Sequence, residues 1–316
     1  MGWTTSDIPD LRGKTAVVTG GNAGLGYETV KALANHGAHV VMASRNPDKA
    51  RFARQSILAD DPDAPVEIVS LDLASLDSVR SAVGTITSNH GSIDILVNNA
   101  GLMALPHQTT DDGFEMQFGV NHLGHWVFTA GLLPTITRTP HARVVTVTST
   151  AHHMGRRVNP DDPHLTNGYG PWKAYGQSKL ANYHFAIGLQ KLFEAHDVDA
   201  TSLLAHPGLS HTNLQVNTVD EGGAGRSGSM ASWLAAKVGM EPDAGVLPQL
   251  RAATDPEARG GEFYAPRYGN NGPPVKRPIL RKYGMDSAIT TLWEVSERET
   301  GVSLDIGTSA GRTPGQ

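Results

Sequence analysis

The sequence contains no cysteine, so disulfide bonds and thiolate metal sites are excluded. It has no apolar run that approaches the ~18 residues of a membrane-spanning helix. It also has no excess of basic residues: 26 Lys and Arg stand against 31 Asp and Glu, for a net charge of −5. Nucleic-acid binding is therefore not expected. The first twelve residues lack the charged-then-apolar plan of a signal peptide, so we expect a soluble cytoplasmic protein.

What the sequence does have is the composition of a loop-rich globular enzyme, with 39% apolar residues, 35 glycines and 19 prolines. Its 316 residues exceed a typical domain, but one α/β domain with insertions reaches this size. Short β-rich apolar runs alternate with longer helical patterns, as in right-handed βαβ units. We therefore predict a single α/β domain over residues 1–316. Its core would be a Rossmann-type, doubly wound parallel sheet of about seven strands with helices on both faces.

The predicted strands cover residues 14–19, 38–43, 66–71, 93–97, 143–148, 199–204 and 261–264. The predicted helices cover residues 25–36, 47–59, 76–89, 112–133, 173–195 and 285–300. Pro134 is expected to end the fourth helix, and Gly301 to cap the last one. The Pro- and Gly-rich segment 265–278 is predicted to be a loop within a C-terminal extension of about 265–302. Residues 309–316 are predicted to be a disordered tail.

A glycine-rich turn follows the first predicted strand directly and opens a helix. Glycines there permit a tight turn and a close approach of the backbone to a pyrophosphate, which the helix N-terminus attracts. A tight turn without a ligand would show the same glycines, but the strand–turn–helix context favours cofactor binding. The residues expected to bind are Gly20, Asn22, Ala23, Gly24, Leu25 and Gly26.

The end of the second predicted strand bears on the choice of cofactor, because an acidic residue there would bind the ribose hydroxyl of NAD(H). This chain has Ser44, Arg45 and Asn46 instead. A guanidinium suits a 2′-phosphate in charge and geometry, so NADP(H) is favoured over NAD(H), although Arg45 could also be a solvated residue at a helix start. Asp72, followed by Leu73, could accept a hydrogen bond from the adenine amino group or cap the next helix.

Tyr175 and Lys179 are four residues apart on one predicted helix, so their side chains share a face. A lysine ammonium beside a phenol favours the phenolate, and we expect it to lower a pKa that is normally about 10. That arrangement makes a tyrosine a general acid or base near neutral pH. The pair is informative because the glycine-rich turn and Ser149 precede it in the chain.

Six motifs in order resemble those of the short-chain dehydrogenase/reductase family, over roughly residues 11–204 and on through His206-Pro207-Gly208. They are the glycine-rich turn, Asn98-Asn99-Ala100-Gly101, Asn121, Ser149, the Tyr175/Lys179 pair and the Pro-Gly turn. The chain further resembles the retinol dehydrogenase-like branch. The stretches that carry this likeness are NNAGLM (98–103), GFEMQFGVNHLGHWVFT (113–129), YGQSKLANYHFA (175–186) and LWEVSERETGV (292–302).

The resemblance implies four catalytic residues. Tyr175 would be the acid/base, and Lys179 would lower its pKa and bind the nicotinamide ribose. Ser149 would donate to the substrate carbonyl, although the neighbouring Thr148 competes for this role. Asn121 would hold a water that links Lys179 to solvent.

The resemblance also implies further cofactor contacts. Residues after the fourth strand would line the ribose and brace that strand, and residues after the sixth would contact the nicotinamide end. The implied residues are Asn98, Ala100, Gly101, Pro207, Gly208 and Thr212, together with Tyr175 and Lys179.

The function implied is an NADP(H)-dependent oxidoreductase that transfers hydride between the nicotinamide and a lipophilic alcohol, aldehyde or ketone. Apolar residues expected near the nicotinamide suggest the lipophilic substrate: Met103, Leu105, Met154, Trp172, Trp233 and Leu234. A non-catalytic NADP-binding regulator and a nucleotide-sugar epimerase or dehydratase are the alternatives. The assembly is expected to be a monomer, homodimer or homotetramer. Glycine-dense residues 221–228 predict a hinge that carries a lid over residues 209–236.

Histidines 122 and 125 are three residues apart on a predicted helix, which is a possible metal-ligand spacing. No Glu follows His122 to complete a His-Glu-x-x-His motif, so packing explains the pair better. We predict no metal site. The basic segment from Arg267 to Lys282 is expected to be a solvated loop.

Overall fold

The computed structural model describes residues 2–208, 242–280 and 284–306. Eight strands in this part of the chain form one sheet, in the order β3-β2-β1-β4-β5-β6-β7-β8. The strands are β1 (Thr15–Thr19), β2 (His39–Ser44), β3 (Val66–Ser70), β4 (Ile95–Asn98), β5 (Ala142–Val147), β6 (Ala200–Ala205), β7 (Phe263–Pro266) and β8 (Pro274–Arg277). Neighbouring strands from β3 to β7 are parallel, and β8 is antiparallel to β7.

The helices lie between and after the strands. They are α1 (Gly24–Asn35), α2 (Pro47–Asp60), α3 (Leu76–Asn89), α4 (Met116–Phe118), α5 (Gly124–Ile136), α6 (Pro171–Ala195), α7 (Pro242–Gly245), α8 (Leu247–Thr254) and α9 (Met285–Thr300). A π-helical turn, Gly119–Leu123, joins α4 to α5. Short 3-10 helices cover Thr5–Asp7 and Thr150–His153.

Alternate residues of the central strands face two separate apolar layers, as expected for a sheet buried on both faces. Val17 of β1 belongs to the layer that includes buried side chains of α3, α5 and α6. The next residue, Val18, belongs to the opposite layer, which includes side chains of α1, α2 and α8. The prediction of a doubly wound α/β fold is therefore confirmed.

The segment 265–278, predicted to be a loop, contains most of a β-hairpin instead. Strand β8 pairs with β7, and the Arg267 amide donates to the Pro273 carbonyl at 3.0 Å where the two strands turn. The prediction was wrong because proline usually argues against a strand. At the outer edge of a sheet, however, the missing N–H of Pro274 costs little.

The helix predicted over 112–133 begins later and ends later than expected. The Glu115 carboxylate accepts hydrogen bonds from the amides of Gln117 (2.9 Å) and Phe118 (2.7 Å), which fixes the helix start at Met116. Pro134 does not end the helix. It lies in the last turn of α5, where a proline removes a single backbone hydrogen bond, and the helix continues to Ile136.

The other predicted elements are confirmed within two residues at each end, and α3 and α9 match their predicted bounds. Gly301 caps α9 in the left-handed conformation, with φ of 67°. The lid 209–236, Trp233 and Leu234, and the tail 309–316 lie outside the described residues. Among the described helices, none has the length and apolarity that crossing a membrane requires.

The strand order reverses between β1 and β4, since β2 and β3 lie on one side of β1, and β4 to β8 lie on the other. In open α/β sheets a crevice forms at such a point, beyond the carboxyl ends of the strands. The topology therefore predicts where a ligand site lies.

Candidate active site

A cleft of about 890 Å³ lies at the carboxyl ends of the strands on the β1–β3 side. Most residues predicted to bind a cofactor line it. These are Gly20, Asn22, Ala23, Gly24, Leu25, Gly26, Ser44, Arg45, Asn46, Asp72, Leu73, Ala100 and Gly101. The sequence pattern thus located one continuous cavity from four separate stretches of the chain.

The glycine-rich turn has little room for side chains. Gly20 and Gly24 have φ of 68° and 52°, in the left-handed region that favours glycine. A Cβ added at Gly26 would lie 2.1 Å from the carbonyl oxygen of Gly20, so only glycine fits at that position. The N-cap of α1 is Ala23, whose side chain cannot satisfy the first amides of the helix. These amides suit an anion in the cleft.

Thr19 and Asn99 hold the turn against the end of β4, and the sequence analysis did not single out either one for this role. The Thr19 hydroxyl accepts hydrogen bonds from the amides of Asn99 and Ala100, both at 3.0 Å. The Asn99 side-chain amide donates to the Thr19 carbonyl at 2.9 Å. A hydroxyl residue immediately before the glycines and an amide after β4 were the available signals.

The far end of the cleft is rich in polar groups. Arg45 is exposed and forms no ion pair within the described ranges, and Lys49 of α2 lines the same wall. Asp48 also lines this wall, but its carboxylate pairs with Arg51. The buried Ser44 hydroxyl has no hydrogen-bond partner among the residues described. An unsatisfied buried hydroxyl and an unpaired cation fit a ligand that carries oxygen anions.

Asp72 lines the cleft but does not cap the next helix, so that alternative was wrong. Its carboxylate accepts from the Ala74 amide at 2.9 Å, and the N-cap of α3 is Ser75. The first amide of α3, that of Leu76, is satisfied by the Asp112 carboxylate at 2.9 Å. Asp72 therefore retains acceptor capacity toward the cleft.

The residues predicted to be catalytic converge at the carboxyl end of β5. The hydroxyls of Ser149 and Tyr175 share a hydrogen bond, and the Lys179 ammonium lies 5.9 Å from the centre of the Tyr175 ring. Thr148, the competing residue, donates instead to the Lys179 carbonyl at 2.8 Å. A Cβ added at Gly101 would lie 3.2 Å from Lys179 Nζ, so the cluster adjoins the cleft.

Burial controls the ionisation of this cluster. Lys179 is 5% exposed, and burial lowers its pKa to about 8. Burial raises the pKa of Tyr175, although the hydrogen bond to Ser149 opposes the rise. We expected Lys179 to lower the Tyr175 pKa, and this expectation was wrong for the structure described, because the desolvation of the phenolate dominates. The phenol is therefore protonated at neutral pH, which is the form that donates a proton.

Asn121 lies in the π-helical turn before α5, and such turns are frequent at functional sites. Its side-chain amide donates to the Leu102 carbonyl (2.9 Å) and to the Ser178 hydroxyl (2.8 Å), and its oxygen accepts from the Leu102 amide (2.7 Å). Asn121 thus joins the loop after β4 to the helix that carries Tyr175.

His125 connects Asn121 to the glycine-rich turn, a link that the sequence analysis missed. One ring nitrogen, Nδ1, lies 3.1 Å from the Asn121 carbonyl, and the other, Nε2, lies 2.9 Å from the Thr19 hydroxyl. Because a carbonyl only accepts, Nδ1 carries the proton and Nε2 accepts from Thr19. Burial lowers the His125 pKa to about 4, so the ring is neutral.

His122 and His125 do not face a common position at which both could bind a metal ion. Its Nε2 lies 2.8 Å from the hydroxyl of Ser296 in α9, which agrees with a packing role. Burial lowers the pKa of His122 to about 3.

The structure gives less support to the remaining residues that were predicted to bind the cofactor. Asn98 is buried, does not line the cleft, and donates to the Thr129 hydroxyl at 3.0 Å, which fits a structural brace. Pro207 and Gly208 follow β6, and Gly208 has φ of 78° and donates to Nδ1 of His206 at 2.9 Å. Thr212 lies outside the described residues.

Comparison with known proteins agrees with this arrangement. The family model for short chain dehydrogenase matches residues 14–222, which include the glycine-rich turn and the Ser149–Tyr175–Lys179 cluster. The chain belongs to the short-chain dehydrogenase family. It is an oxidoreductase that acts on CH–OH groups.

Individual relatives of this short-chain dehydrogenase extend the match. The short-chain dehydrogenase/reductase drtF of Aspergillus calidoustus is 36% identical over 312 residues, which cover 92% of this chain and 95% of the relative. Human retinol dehydrogenase 13 is 39% identical over 208 residues, 66% of this chain and 62% of that protein. A protein from Mycobacterium paratuberculosis, for which a crystal structure has been solved, is 37% identical in sequence. The two structures match with a TM-score of 0.78, over 96% of this chain and 100% of that one. The resemblance to the retinol dehydrogenase-like branch is thus confirmed.

Proposed function

We propose that this short-chain dehydrogenase uses NADP(H) to interconvert a lipophilic alcohol and the corresponding aldehyde or ketone. The observation that carries the proposal is the cluster of partly buried Ser149 with buried Tyr175 and Lys179, beside a cleft with an uncapped helix N-terminus. When bound, the nicotinamide supplies or accepts the hydride. The protein's part is to hold the substrate oxygen and to move its proton.

In the direction of reduction, Tyr175 donates the proton that the nascent alkoxide takes up, and the raised pKa of its phenol keeps that proton available at neutral pH. Ser149 donates a hydrogen bond to the carbonyl oxygen and stabilises the developing charge. Lys179 provides a positive charge below pH 8 and reaches the cleft beside Gly101, where a ribose would bind. Asn121 holds the surrounding loop and the π turn in place, and we retain its predicted role in a water-mediated proton relay.

The preference for NADP(H) over NAD(H) rests on the wall formed by Arg45 and Lys49. Two cations face the region beyond β2, and the neighbouring Asp48 carboxylate is already paired with Arg51. A 2′-phosphate placed there meets a net positive charge, which favours its binding.

A lipophilic substrate is supported by the apolar residues that reach the cleft and the cluster. Met103 and Leu105 line the cleft, and the Trp172 ring packs edge-on against Tyr175 with 6.0 Å between ring centres. A relative named for retinol, which is an apolar alcohol, points in the same direction.

We also propose that residues 1–316 form one NADP-binding domain, since all eight described strands belong to one sheet. The predicted cytoplasmic location and the monomer, dimer or tetramer stay predictions, which localisation of the tagged protein and light scattering would test.

Turnover tests the function most directly. Purified protein is incubated with NADPH and a panel of long-chain aldehydes, apolar ketones and short polar carbonyls, and the loss of NADPH absorbance is followed. We expect turnover with apolar members of the panel, and a loss of about 10²–10³-fold in Ser149→Ala, the loss typical of an oxyanion-type donor. Thr150→Ala, at the neighbouring hydroxyl residue, should remain within a few-fold of the wild type.

Two results would replace this proposal with one of its alternatives. Tight NADPH binding without turnover of any carbonyl or alcohol would indicate a non-catalytic regulator. Interconversion of a nucleotide sugar with no net change in NADPH would indicate an epimerase or dehydratase.

A further inference from the structure

Three potential metal ligands meet at the end of the sheet opposite the cleft. His39 is the first residue of β2, Glu67 is the second residue of β3, and His90 follows the last residue of α3. Glu67 pairs in register with Val41, which shares a strand face with His39. Val41 belongs to the apolar layer that includes the buried residues of α3, so all three side chains lie on the face that α3 covers.

Two of the separations between the ligand atoms are close to those of a tetrahedral metal site. Nε2 of His39 and Nε2 of His90 lie 3.2 Å and 2.9 Å from the same oxygen, Oε2 of Glu67. All three atoms lie within 4.8 Å of one another. Metal–ligand bonds of about 2.0–2.1 Å in a tetrahedron place neighbouring ligand atoms ~3.3 Å apart, close to both distances. Small adjustments of the side chains would therefore admit the ion.

The surroundings of the three residues favour a cation. The Asn89 side-chain amide lies 3.3 Å from the other Glu67 oxygen and orients the carboxylate, as outer partners of metal ligands do. His90 caps the C-terminus of α3, where the helix dipole favours positive charge. The side chains of His39, Glu67 and His90 are 42%, 27% and 12% exposed, which leaves an open direction for a water ligand.

We propose that His39, Glu67 and His90 form a binding site for a divalent transition metal, with Zn²⁺ as the ion that best suits two imidazoles, one carboxylate and one water. The ion would join β2, β3 and α3 at the amino end of the sheet, far along the strands from the cleft. Its role is structural, because the three protein ligands belong to three elements that it would tie together.

This proposal departs from the sequence-based prediction of no metal site. The ligands are 28 and 23 residues apart in the chain, so no spacing motif marks them, and only the fold brings them together. Without a metal, the cluster is a carboxylate that accepts hydrogen bonds from two imidazoles. A measurement of metal binding distinguishes this arrangement from a metal site.

Calorimetric titration of the chelator-treated full chain with ZnCl₂ tests the proposal. We expect one equivalent of Zn²⁺ to bind, and substitution of a ligand in His90→Gln or Glu67→Gln to weaken binding by more than 10-fold. His141→Gln is the matched control: it removes an exposed imidazole that lies 3.1 Å from the Asp199 carboxylate and should bind Zn²⁺ as the wild type does. Circular dichroism establishes that each variant is folded.

Visible absorption spectroscopy of the Co²⁺-bound protein tests the coordination geometry. Co²⁺ at this site should show the intense visible bands of a tetrahedral complex, and these bands should be absent in His39→Gln/His90→Gln. Zn²⁺ should also raise the melting temperature of the wild type more than that of the double variant. The proposal is overturned if the wild type binds less than one equivalent, if His90→Gln binds as tightly as the wild type, or if His141→Gln loses binding as well.

Discussion

The two halves of the candidate active site are built from different groups. On the β1–β3 side, the cleft presents backbone amides at the start of α1 and exposed cations such as Arg45. On the β5–α6 side, Tyr175 and Lys179 are buried, and burial shifts the pKa of each away from its usual value. The first half can bind a charged ligand at little cost to folding. The second half opposes folding, because an ammonium is removed from water. Substitutions in the two halves should therefore have different consequences.

The largest effect should come from the acid/base. Tyr175→Phe should lower turnover by about 10²–10⁴-fold, because it removes the proposed proton donor, while NADPH affinity changes little. Steady-state rates and calorimetry measure the two quantities. Tyr183→Phe, two turns further along α6, is the control and should retain turnover within a few-fold. Near-normal turnover in Tyr175→Phe would remove this residue from the mechanism.

The next largest effect concerns Lys179 and is a gain in stability. Burial lowers its pKa from 10.5 to about 8, so between those pH values the unfolded chain holds a proton that the folded chain does not. Wild-type stability should rise with pH across that window, and the full penalty, about 3 kcal/mol, applies below pH 8. Lys179→Met should therefore be more stable than the wild type at pH 7 and lose that advantage near pH 10.5.

Urea unfolding of the cofactor-free protein at the two pH values measures the difference. Lys173→Met, which removes an exposed ammonium from the same helix, is the matched control. A stability difference for Lys179→Met that is the same at both pH values would show that the burial of charge is not the cause.

An intermediate effect is expected at the exposed end of the cleft. Arg45→Asp should weaken NADPH binding by about 1.5–3 kcal/mol, the range for a charge-assisted contact, and should leave the free energy of unfolding unchanged. Calorimetry with NADPH and NADH should show the preference shrinking or reversing. Arg138→Asp, at an exposed arginine beyond α5, is the charge-matched control. Equal affinities for the two cofactors in the wild type would contradict this interpretation of Arg45.

The smallest effect tests the link between the two halves. His125→Phe keeps most of the ring volume but removes the hydrogen bonds of this ring to the Asn121 carbonyl and to the Thr19 hydroxyl, whose remaining acceptor is the Val97 carbonyl at 3.4 Å. The cost is about 1–3 kcal/mol in unfolding free energy. Because Thr19 holds the glycine-rich turn, NADPH affinity should fall as well. His122→Phe also loses one buried hydrogen bond, to Ser296, and should lose stability without a change in NADPH affinity. The same change in affinity in both variants would exclude a specific link through His125.

Much of the fold and the outline of the site could be predicted from the sequence, because their signals are local. The glycines after β1 predicted the turn, and the short apolar runs predicted the strands. Both ends of α3 were predicted at the correct residues. The errors arose where tertiary context overrides local preference: Pro274 lies in an edge strand, and α5 continues past Pro134 to Ile136 despite the lost hydrogen bond.

The parts of the site that the sequence could not reveal depend on contacts between distant segments. The bond between Thr19 and His125 joins residues 106 positions apart, and no local pattern indicates it. The pKa of Tyr175 is a second case. The spacing to Lys179 predicted a lowering, but the depth of burial, which only the fold determines, reverses the direction.

Because the first turn of α1 has no capping side chain, a ligand bound there would contribute to the stability of the fold. The alanine at the N-cap leaves the first amides of that helix without a side-chain partner, and a phosphate group of the proposed cofactor would cap them as a side chain does in other helices. The folded population then depends on how much dinucleotide is present: at a concentration 100 times Kd, binding adds about 2.7 kcal/mol to the free energy of unfolding. Thermal melting can therefore rank dinucleotides for this enzyme without the use of a substrate.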